Sequence, residues 1–265
     1  MPGSFSAFTE RNLCISSAMK TIISTFVLSL LVVFGVKAQG NDAVIEQLGG
    51  SHDASISQVG TQNIADVFQQ GEGNGLTLNQ SGSHEAVIDQ AGAENRTAIQ
   101  QFTGVQNSAP GASGAYVEQA GTANDVVVSQ YGEHLSESIQ AGSENTIQLT
   151  QSQSNSTVSS LGEEYGSGAF ALLMQHGFSN EIMLAQTGSH YASISQNGSQ
   201  NNATLLQDGL DLANIVRIEQ NGSNNDATIE QFGGQNSVII RQAGNGHNVH
   251  LQQVGYGNQA TVIQN

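Results

Sequence analysis

Apolar and polar residues alternate along most of the chain in a unit of about eleven residues that recurs from Asn41 to the C-terminus. Each unit begins with Asn or His, carries apolar residues two and four positions later, Gln six positions later and Gly eight positions later, as between Asn63 and Gly71. We call the first place in the unit the Asn position and the place six residues later the Gln position. A short pattern repeated at a fixed spacing predicts stacked structural units.

The two polar positions are kept through almost all of the twenty units. The Gln position holds Gln47, Gln58, Gln69, Gln80, Gln90, Gln101, Gln119, Gln130, Gln140, Gln151, Gln175, Gln186, Gln196, Gln207, Gln220, Gln231, Gln242, Gln253 and Gln264, and Leu161 replaces it once. The Asn position holds Asn41, Asn63, Asn74, Asn95, Asn124, Asn145, Asn155, Asn180, Asn201, Asn214, Asn225, Asn236 and Asn258, or His52, His84, His134, His190 and His247. Only Ser113 and Ala169 depart from this rule.

The spacing within a unit is that of a β-strand. The Asn position, both apolar residues and the Gln position are two apart, which places them on one face of a strand. An eleven-residue period also suits a right-handed coiled coil. Composition excludes the helix, because the chain has 31 Gly and no Lys after residue 38, whereas long helices are rich in Ala, Glu, Lys and Leu.

The segments between strands are equally regular. Four or five residues with a central Gly usually connect one Gln position to the next Asn position, and Gly permits the positive φ that a sharp reversal often needs. Two units then form a coil of about 22 residues, and twenty strands form about ten coils that would be about 48 Å long at the usual strand spacing. We therefore predict an all-β, two-sheet, amyloid-like β-solenoid, with odd strands in one sheet and even strands in the other.

The inward amides are the candidate site of this fold. Burial of two apolar residues per strand does not offset the entropy of ordering some 220 residues, at about 1 to 2 kcal/mol each. Stacked Gln and Asn side chains donate to one neighbouring copy and accept from the other, which forms a ladder. We predict that Gln220, Gln242 and Gln264 stack in one column, and Gln231 and Gln253 in the other.

The paired motif Gln-x-Gly-x-x-Asn-x-Ala-x-(Ile/Val)-x-Gln resembles the curlin repeat of the curli amyloid fibre subunits of Gram-negative cells. The stretch from Gln253 to Gln264 is similar to the last repeat of the major curlin subunit. The resemblance extends over residues 41 to 265.

This resemblance implies a secreted structural subunit that polymerises into cell-surface fimbriae for adhesion and biofilm formation. The implied partners are further copies of the chain arranged head to tail, a nucleator subunit and an outer-membrane secretion channel. Whether the chain is the major subunit or the nucleator stays open.

The residues ahead of the repeats predict processing. Met19 and Lys20 open a run of apolar and small residues that ends at Ala38, which is typical of a signal peptide over residues 19–38. Residues 1–18 have no targeting pattern and are interpreted as an upstream extension, which contains Cys14, the only cysteine. The curlin-repeat β-solenoid is then assigned to residues 39–265.

Charge and chemistry exclude several classes of function. Residues 39–265 carry three arginines against 21 acidic residues, and such a surface disfavours nucleic acid. The five His at the Asn position never fall in adjacent coils, so they predict amide substitutes and no metal site. The pair Glu163 and Glu164 is interpreted as a solvated loop, and we expect no catalytic residue and no cofactor. The alternatives are a soluble solenoid that binds glycan or ice, and a repeat-built enzyme.

Two features of the sequence predict where the solenoid would accept another copy and where it would open first. The first and last coils expose strand edges that lack the usual Lys or Pro protection, so both ends are expected to accept another copy. Residues 133–168 are expected to open first, because Ser136, Ser138, Thr157 and Ser159 take apolar positions there.

Overall fold

The computed structural model describes residues 40–102, 113–132, 134–152, 169–209 and 212–265, and these residues form nineteen strands in two parallel sheets. The chain changes sheet after every strand. Consecutive strands therefore face each other across a core, while strands two apart in number pair side by side. The predicted all-β, two-sheet β-solenoid is confirmed.

The odd-numbered strands form one sheet and the even-numbered strands form the other, each in numerical order. The odd sheet contains β1 (Asp42–Gly50), β3 (Ile64–Glu72), β5 (Glu85–Ala93), β7 (Gly114–Thr122), β9 (Leu135–Ser143), β11 (Phe170–Phe178), β13 (Tyr191–Ser199), β15 (Ile215–Ser223), β17 (Ser237–Asn245) and β19 (Gln259–Gln264). The even sheet contains β2 (Asp53–Gly60), β4 (Gly75–Gly82), β6 (Arg96–Phe102), β8 (Asp125–Tyr131), β10 (Thr146–Ser152), β12 (Glu181–Thr187), β14 (Asn202–Asp208), β16 (Asp226–Gly234) and β18 (Asn248–Tyr256).

The alternation within each unit produces the core. On β15, Val216, Ile218 and Gln220 are fully buried, whereas Ile215 between the turn and Val216 points outward and is 48% exposed. In-register pairing places Val216 beside Val238 of β17, and every described coil repeats this arrangement. Like residues therefore stack in columns along the solenoid axis, with the apolar columns of the two sheets packed against each other.

The glycine of each unit is required by the close approach of consecutive coils. Gly92 has a φ of 114°, and a β-carbon there would overlap the carbonyl oxygen of Gly121 in the next coil. Residues other than Gly adopt the left-handed region immediately before the Asn position, as Glu94 does with a φ of 56°. The turn thus contains two left-handed residues, and the sequence pattern marks only the glycine.

The number of strands differs from the prediction in one coil. β9 pairs directly with β11 and β10 pairs directly with β12, so the described sheets leave no place for a strand from the eleventh unit, Asn155 to Leu161. That unit lies outside the described residues. Its sequence has Thr157 and Ser159 at the two places where the next unit has Ala171 and Leu173, so it supplies no apolar pair for the core. The prediction that odd and even units alternate between the sheets is wrong after residue 152, because the twelfth unit forms β11.

Several predictions fall on residues outside the described ranges. These are the upstream extension at residues 1–18, the signal peptide at residues 19–38, and residues 153–168 of the segment expected to open first. In the part of the chain that is described, no helix is long and apolar enough to cross a membrane.

Candidate functional site: amide columns and end coils

Two unbroken columns of glutamine run through the solenoid. In the odd sheet the column is Gln47, Gln69, Gln90, Gln119, Gln140, Gln175, Gln196, Gln220, Gln242 and Gln264. In the even sheet it is Gln58, Gln80, Gln101, Gln130, Gln151, Gln186, Gln207, Gln231 and Gln253. Each Nε2 donates to the Oε1 of the next glutamine. The Nε2–Oε1 distance is 2.8 Å from Gln231 to Gln253 and 3.0 Å from Gln242 to Gln264.

Most of these glutamines also join the two sheets. The second amide proton of Gln242 is donated to the backbone oxygen of Asp226, on the facing strand β16, at 2.9 Å. Gln220 makes the equivalent bond to Asn202 of β14 at 2.8 Å. The alternating pattern indicated that these amides point inward, but it contained no sign of this bond across the core. A glutamine therefore links its coil both to the next coil and to the opposite sheet.

The asparagines form a second kind of column at the start of each strand. The Oδ1 of Asn74 accepts both the backbone N–H and the Nδ2–H of Asn95 in the next coil, at 3.0 and 3.2 Å. Asn95 Nδ2 in turn donates to the carbonyls of Ala91 and Gly121, which lie near the ends of the neighbouring strands β5 and β7. The buried members of this kind are Asn63, Asn74, Asn95, Asn124, Asn145, Asn180, Asn201, Asn214, Asn225 and Asn236, whereas Asn258 of the last coil is exposed.

Histidine at the Asn position makes the same contacts with its ring. His84 Nδ1 accepts the backbone N–H of Ser113 at 3.2 Å, and its Nε2 lies 3.0 Å from the carbonyl oxygen of Ser81. Only the neutral ring with its proton on Nε2 satisfies both contacts. Burial lowers the pKa of His84 and of His190, against a smaller opposing effect of the backbone carbonyl that each ring faces.

The two residues at the Asn position that are neither Asn nor His each follow a histidine in the preceding coil. Ser113 follows His84 in the odd column, and Ala169 follows His134, whose Nδ1 accepts the Ala169 N–H at 3.0 Å. The Ser113 hydroxyl donates to the Gly132 carbonyl, as an asparagine amide does elsewhere. Only the stacking register brings these residues together, so the linear pattern did not reveal the pairing.

The two end coils differ from the interior in burial. The apolar positions that are fully buried in the interior coils are only half-buried at several places in β1, β2, β18 and β19. These half-buried residues are Ala43, Ile45, Ala54, Ile56, Leu251, Ala260 and Val262. Among the described residues, none pairs with the outer edges of these strands. Unpaired edges of this kind are templates for a further strand.

The described residues offer no metal centre. No group of three or more His, Cys, Asp or Glu side chains in these ranges is arranged to hold an ion. The histidines of the Asn position are separated along the axis by at least one other coil, as their spacing in the sequence indicated.

One segment matches a known family. Residues 213–244 and 222–255 match the model of the curlin associated repeat, which covers β15 to β17 and most of β18. No curated protein matches the chain. The matched strands share their Gln and Asn columns with the rest of the described solenoid, and the predicted resemblance is confirmed over residues 213–255. Residues 213–255 of this chain are thus similar to the curlin associated repeat.

Proposed function

We propose that the chain is a secreted structural subunit that polymerises head to tail into curli-like amyloid fibres at the cell surface. The observation that carries this proposal is the pair of unprotected end coils, which expose strand edges, half-buried core residues and the ends of the Gln columns and of the Asn-position columns. A fibre of such subunits would continue every column from one copy to the next.

Hydrogen-bonding groups at the two ends are complementary. At the N-terminal end, Gln47 and Gln58 turn Oε1 outward, and among the described residues no donor reaches either oxygen. At the C-terminal end, Gln253 and Gln264 turn Nε2 outward, and each amide group has one bond to the opposite sheet and one proton left over. An N-terminal end therefore matches a C-terminal end, whereas two N-terminal ends would oppose acceptors to acceptors. This chemistry supports a fibre with one direction.

Apolar contacts would further stabilise the docking of an N-terminal end on a C-terminal end. Docking would bury Ala43, Ile45, Ala54 and Ile56 at one end against Leu251, Ala260 and Val262 at the other. Burial of the larger of these side chains stabilises by about 1.5 to 3 kcal/mol each. The interior coils already show this packing, so no rearrangement of the end coils is required.

The family supports the biological setting of the proposal. Residues 19–38 direct secretion, an outer-membrane channel exports the chain, and a nucleator subunit starts the fibre, which serves adhesion and the biofilm matrix. The chain is a fibre component and not an enzyme. A nucleator role for this same chain would use the same end coils.

The test begins with the purified chain at micromolar concentration. We expect fibres that bind an amyloid dye and give an axial reflection at about 4.7 to 4.8 Å. A monomer that persists for days without dye binding would contradict the proposal and favour a soluble solenoid that binds glycan or ice.

Elongation from preformed seeds tests the role of the ends. Gln47→Leu and Gln264→Leu each remove a group that a new copy must meet, so both should slow elongation more than Gln130→Leu in the interior. Equal elongation rates for all three variants and the parent would show that the amide columns take no part in docking.

A further inference from the structure

We propose that each incoming copy is turned by about half a revolution around the fibre axis, so that its β1 pairs with β18 and its β2 pairs with β19. This inference rests on the proposed head-to-tail polymer and specifies its interface. The interface is therefore formed between unlike sheets: the odd sheet of one copy continues the even sheet of the other.

The odd number of described strands leads to this arrangement. The solenoid begins with β1 in the odd sheet and ends with β19 in the same sheet, one strand beyond β18 of the even sheet. Because the chain changes sheet at every step, the next position along the path lies on the outer edge of β18. A copy that continues the path must place its own first strand there, which requires the half turn.

Docking without rotation leaves a gap. If β1 of the incoming copy stacked on β19, then β2 of that copy would lie two strand spacings above β18, about 9.6 Å away. The backbone groups on the facing edges of β18 and β2 would then lack partners inside the fibre. Buried backbone groups without partners cost about 1 to 3 kcal/mol each, so the unrotated interface is disfavoured.

The rotated interface repeats contacts that already exist within the chain. It places Asn41 of the incoming copy above His247, and the same order occurs where the Asn214 N–H bonds to His190 Nδ1 at 3.1 Å. It also places His52 of the incoming copy above Asn258. That order recurs where the His84 N–H bonds to the Oδ1 of Asn63 at 3.0 Å.

The glycine and apolar columns continue in the same register. Gly49 of the incoming copy would stack on Gly255, which follows Gly233 in the even sheet. This contact requires the glycine at position 255, because a β-carbon at the equivalent Gly233 would already meet the carbonyl of Gly255 in the next coil. On the outer face, the exposed side chain of Leu48 would cover that of Val254, which is 67% exposed.

The arrangement defines the fibre symmetry. Nineteen strands, each advancing about half of the 4.8 Å spacing, move the axis by about 46 Å per copy. With the half turn, the fibre has a two-fold screw relation between neighbours, added to the twist of the sheets.

Disulfide cross-linking distinguishes the two interfaces. In a Cys14→Ser background, Val44→Cys/His250→Cys places thiols on neighbouring strands of the rotated interface, and Val44→Cys/Thr261→Cys does so for the unrotated one. All three side chains are exposed and point outward. In the rotated fibre, Val44 and Thr261 lie in opposite sheets, roughly 10 Å or more apart, and a disulfide needs Cα atoms about 4.4 to 6.8 Å apart.

Two pairs within one copy serve as matched controls. Thr228→Cys/His250→Cys and Ile239→Cys/Thr261→Cys join register neighbours of the same sheet, so both should lose their free thiols in the monomer. They show that the pleat geometry at residues 250 and 261 permits the bond.

We expect oxidised fibres of Val44→Cys/His250→Cys to run as a ladder of covalent oligomers on a non-reducing gel, while Val44→Cys/Thr261→Cys stays monomeric. The reverse result, cross-linking of both pairs, or fibres in which neither pair cross-links would overturn the rotated interface and leave the polymer intact. If the Cys14→Ser parent forms no fibres, the proposed function itself fails.

Discussion

An inward glutamine in this solenoid uses its whole amide group. Gln242 accepts from Gln220, donates to Gln264 and donates across the core to Asp226, and its side chain is almost completely buried. Hydrocarbon of equal size would fill the volume but would leave those neighbours without a partner. At the scale of the residue, the need for hydrogen-bond partners therefore restricts substitution at this position more than side-chain volume does.

We expect Gln242→Leu to lower the free energy of unfolding by about 1 to 3 kcal/mol for each neighbour left unsatisfied. Urea unfolding of freshly prepared monomer measures the change. The matched control is Gln252→Leu, an exposed glutamine bonded only to the Glu230 carboxylate. Equal stability of the two variants would mean that the column contributes nothing to folding.

The buried histidines predict loss of stability in acid. Burial is the main cause that lowers the pKa of His190, against smaller raising effects of the Thr187 carbonyl and the Asp208 carboxylate. A lowered pKa in the folded state means that the unfolded chain binds the proton more readily. Stability is therefore complete above the ordinary value of 6.5 and is lost as the pH falls below it. A proton on Nδ1 would also face the Asn214 N–H.

The variant His190→Asn restores the usual residue of the column and should lose less stability than the parent between about pH 7 and about pH 5. His250→Asn, which removes an exposed ring outside the column, is the control. Urea unfolding at both pH values measures the difference. An identical loss in His190→Asn and the parent would contradict the prediction.

At the scale of the strand, β9 is the weak element of the odd sheet. Ser136 and Ser138 take its two apolar positions, between Val117 of β7 and Leu173 of β11 in the case of Ser138. The Ser136 hydroxyl accepts from Gln130, whereas the buried Ser138 hydroxyl has no hydrogen-bond partner. Both the missing apolar surface and the unpaired hydroxyl lower the stability of this strand.

Ser138→Val should raise the free energy of unfolding by roughly 1 to 3 kcal/mol, because it adds apolar surface and removes an unpaired buried hydroxyl. Hydrogen exchange across β9 should slow in the same variant. Ser193→Val on the outer face of β13 should change stability by no more than about 0.5 kcal/mol. A destabilised Ser138→Val chain, or exchange as slow in parental β9 as in β15, would count against a weak element here.

The sequence predicts the elements well and the assembly of the elements less well. The inward orientation of residues such as Ile218 and Gln220 can be predicted from the sequence, because a period of two assigns each side chain to one face of a strand without tertiary information. The direct pairing of β9 with β11 was harder to predict, since the unit between them in the sequence, Asn155 to Leu161, keeps the Asn and loses only the apolar residues and the Gln. The bond from Gln242 to Asp226 depends on the axial offset of the two sheets, which no spacing along the chain encodes.

At the scale of the whole molecule, charge opposes end-to-end approach. The chain has a formal net charge of −16, and the outward acids of neighbouring coils lie close enough that Glu118 adds to burial in raising the pKa of Asp89. Two copies must bring such surfaces together during elongation. Repulsion of this kind acts over the screening length of the solution.

Elongation should therefore accelerate with salt. Between about 0.01 M and about 0.15 M the screening length falls from about 30 Å to about 8 Å, so seeded growth followed by dye fluorescence should be faster at the higher concentration. A salt that does not bind the protein specifically, such as NaCl, is suitable. A rate that is unchanged or falls would show that the acids on the fibre sides do not oppose docking.

The amide columns have a further electrical consequence. Glutamine groups direct an N–H bond toward the C-terminal end of the solenoid, as from Gln47 to Gln69, whereas asparagine groups direct their Oδ1 toward that end, as Asn41 does when it accepts from Asn63. The two sets of amide dipoles therefore oppose each other, unlike the aligned peptide dipoles of a helix. A fibre that lengthens by further coils accumulates only the difference between them, so the dipole along its axis grows more slowly than that of a helix, while the hydrogen-bonding groups at its two tips remain distinct.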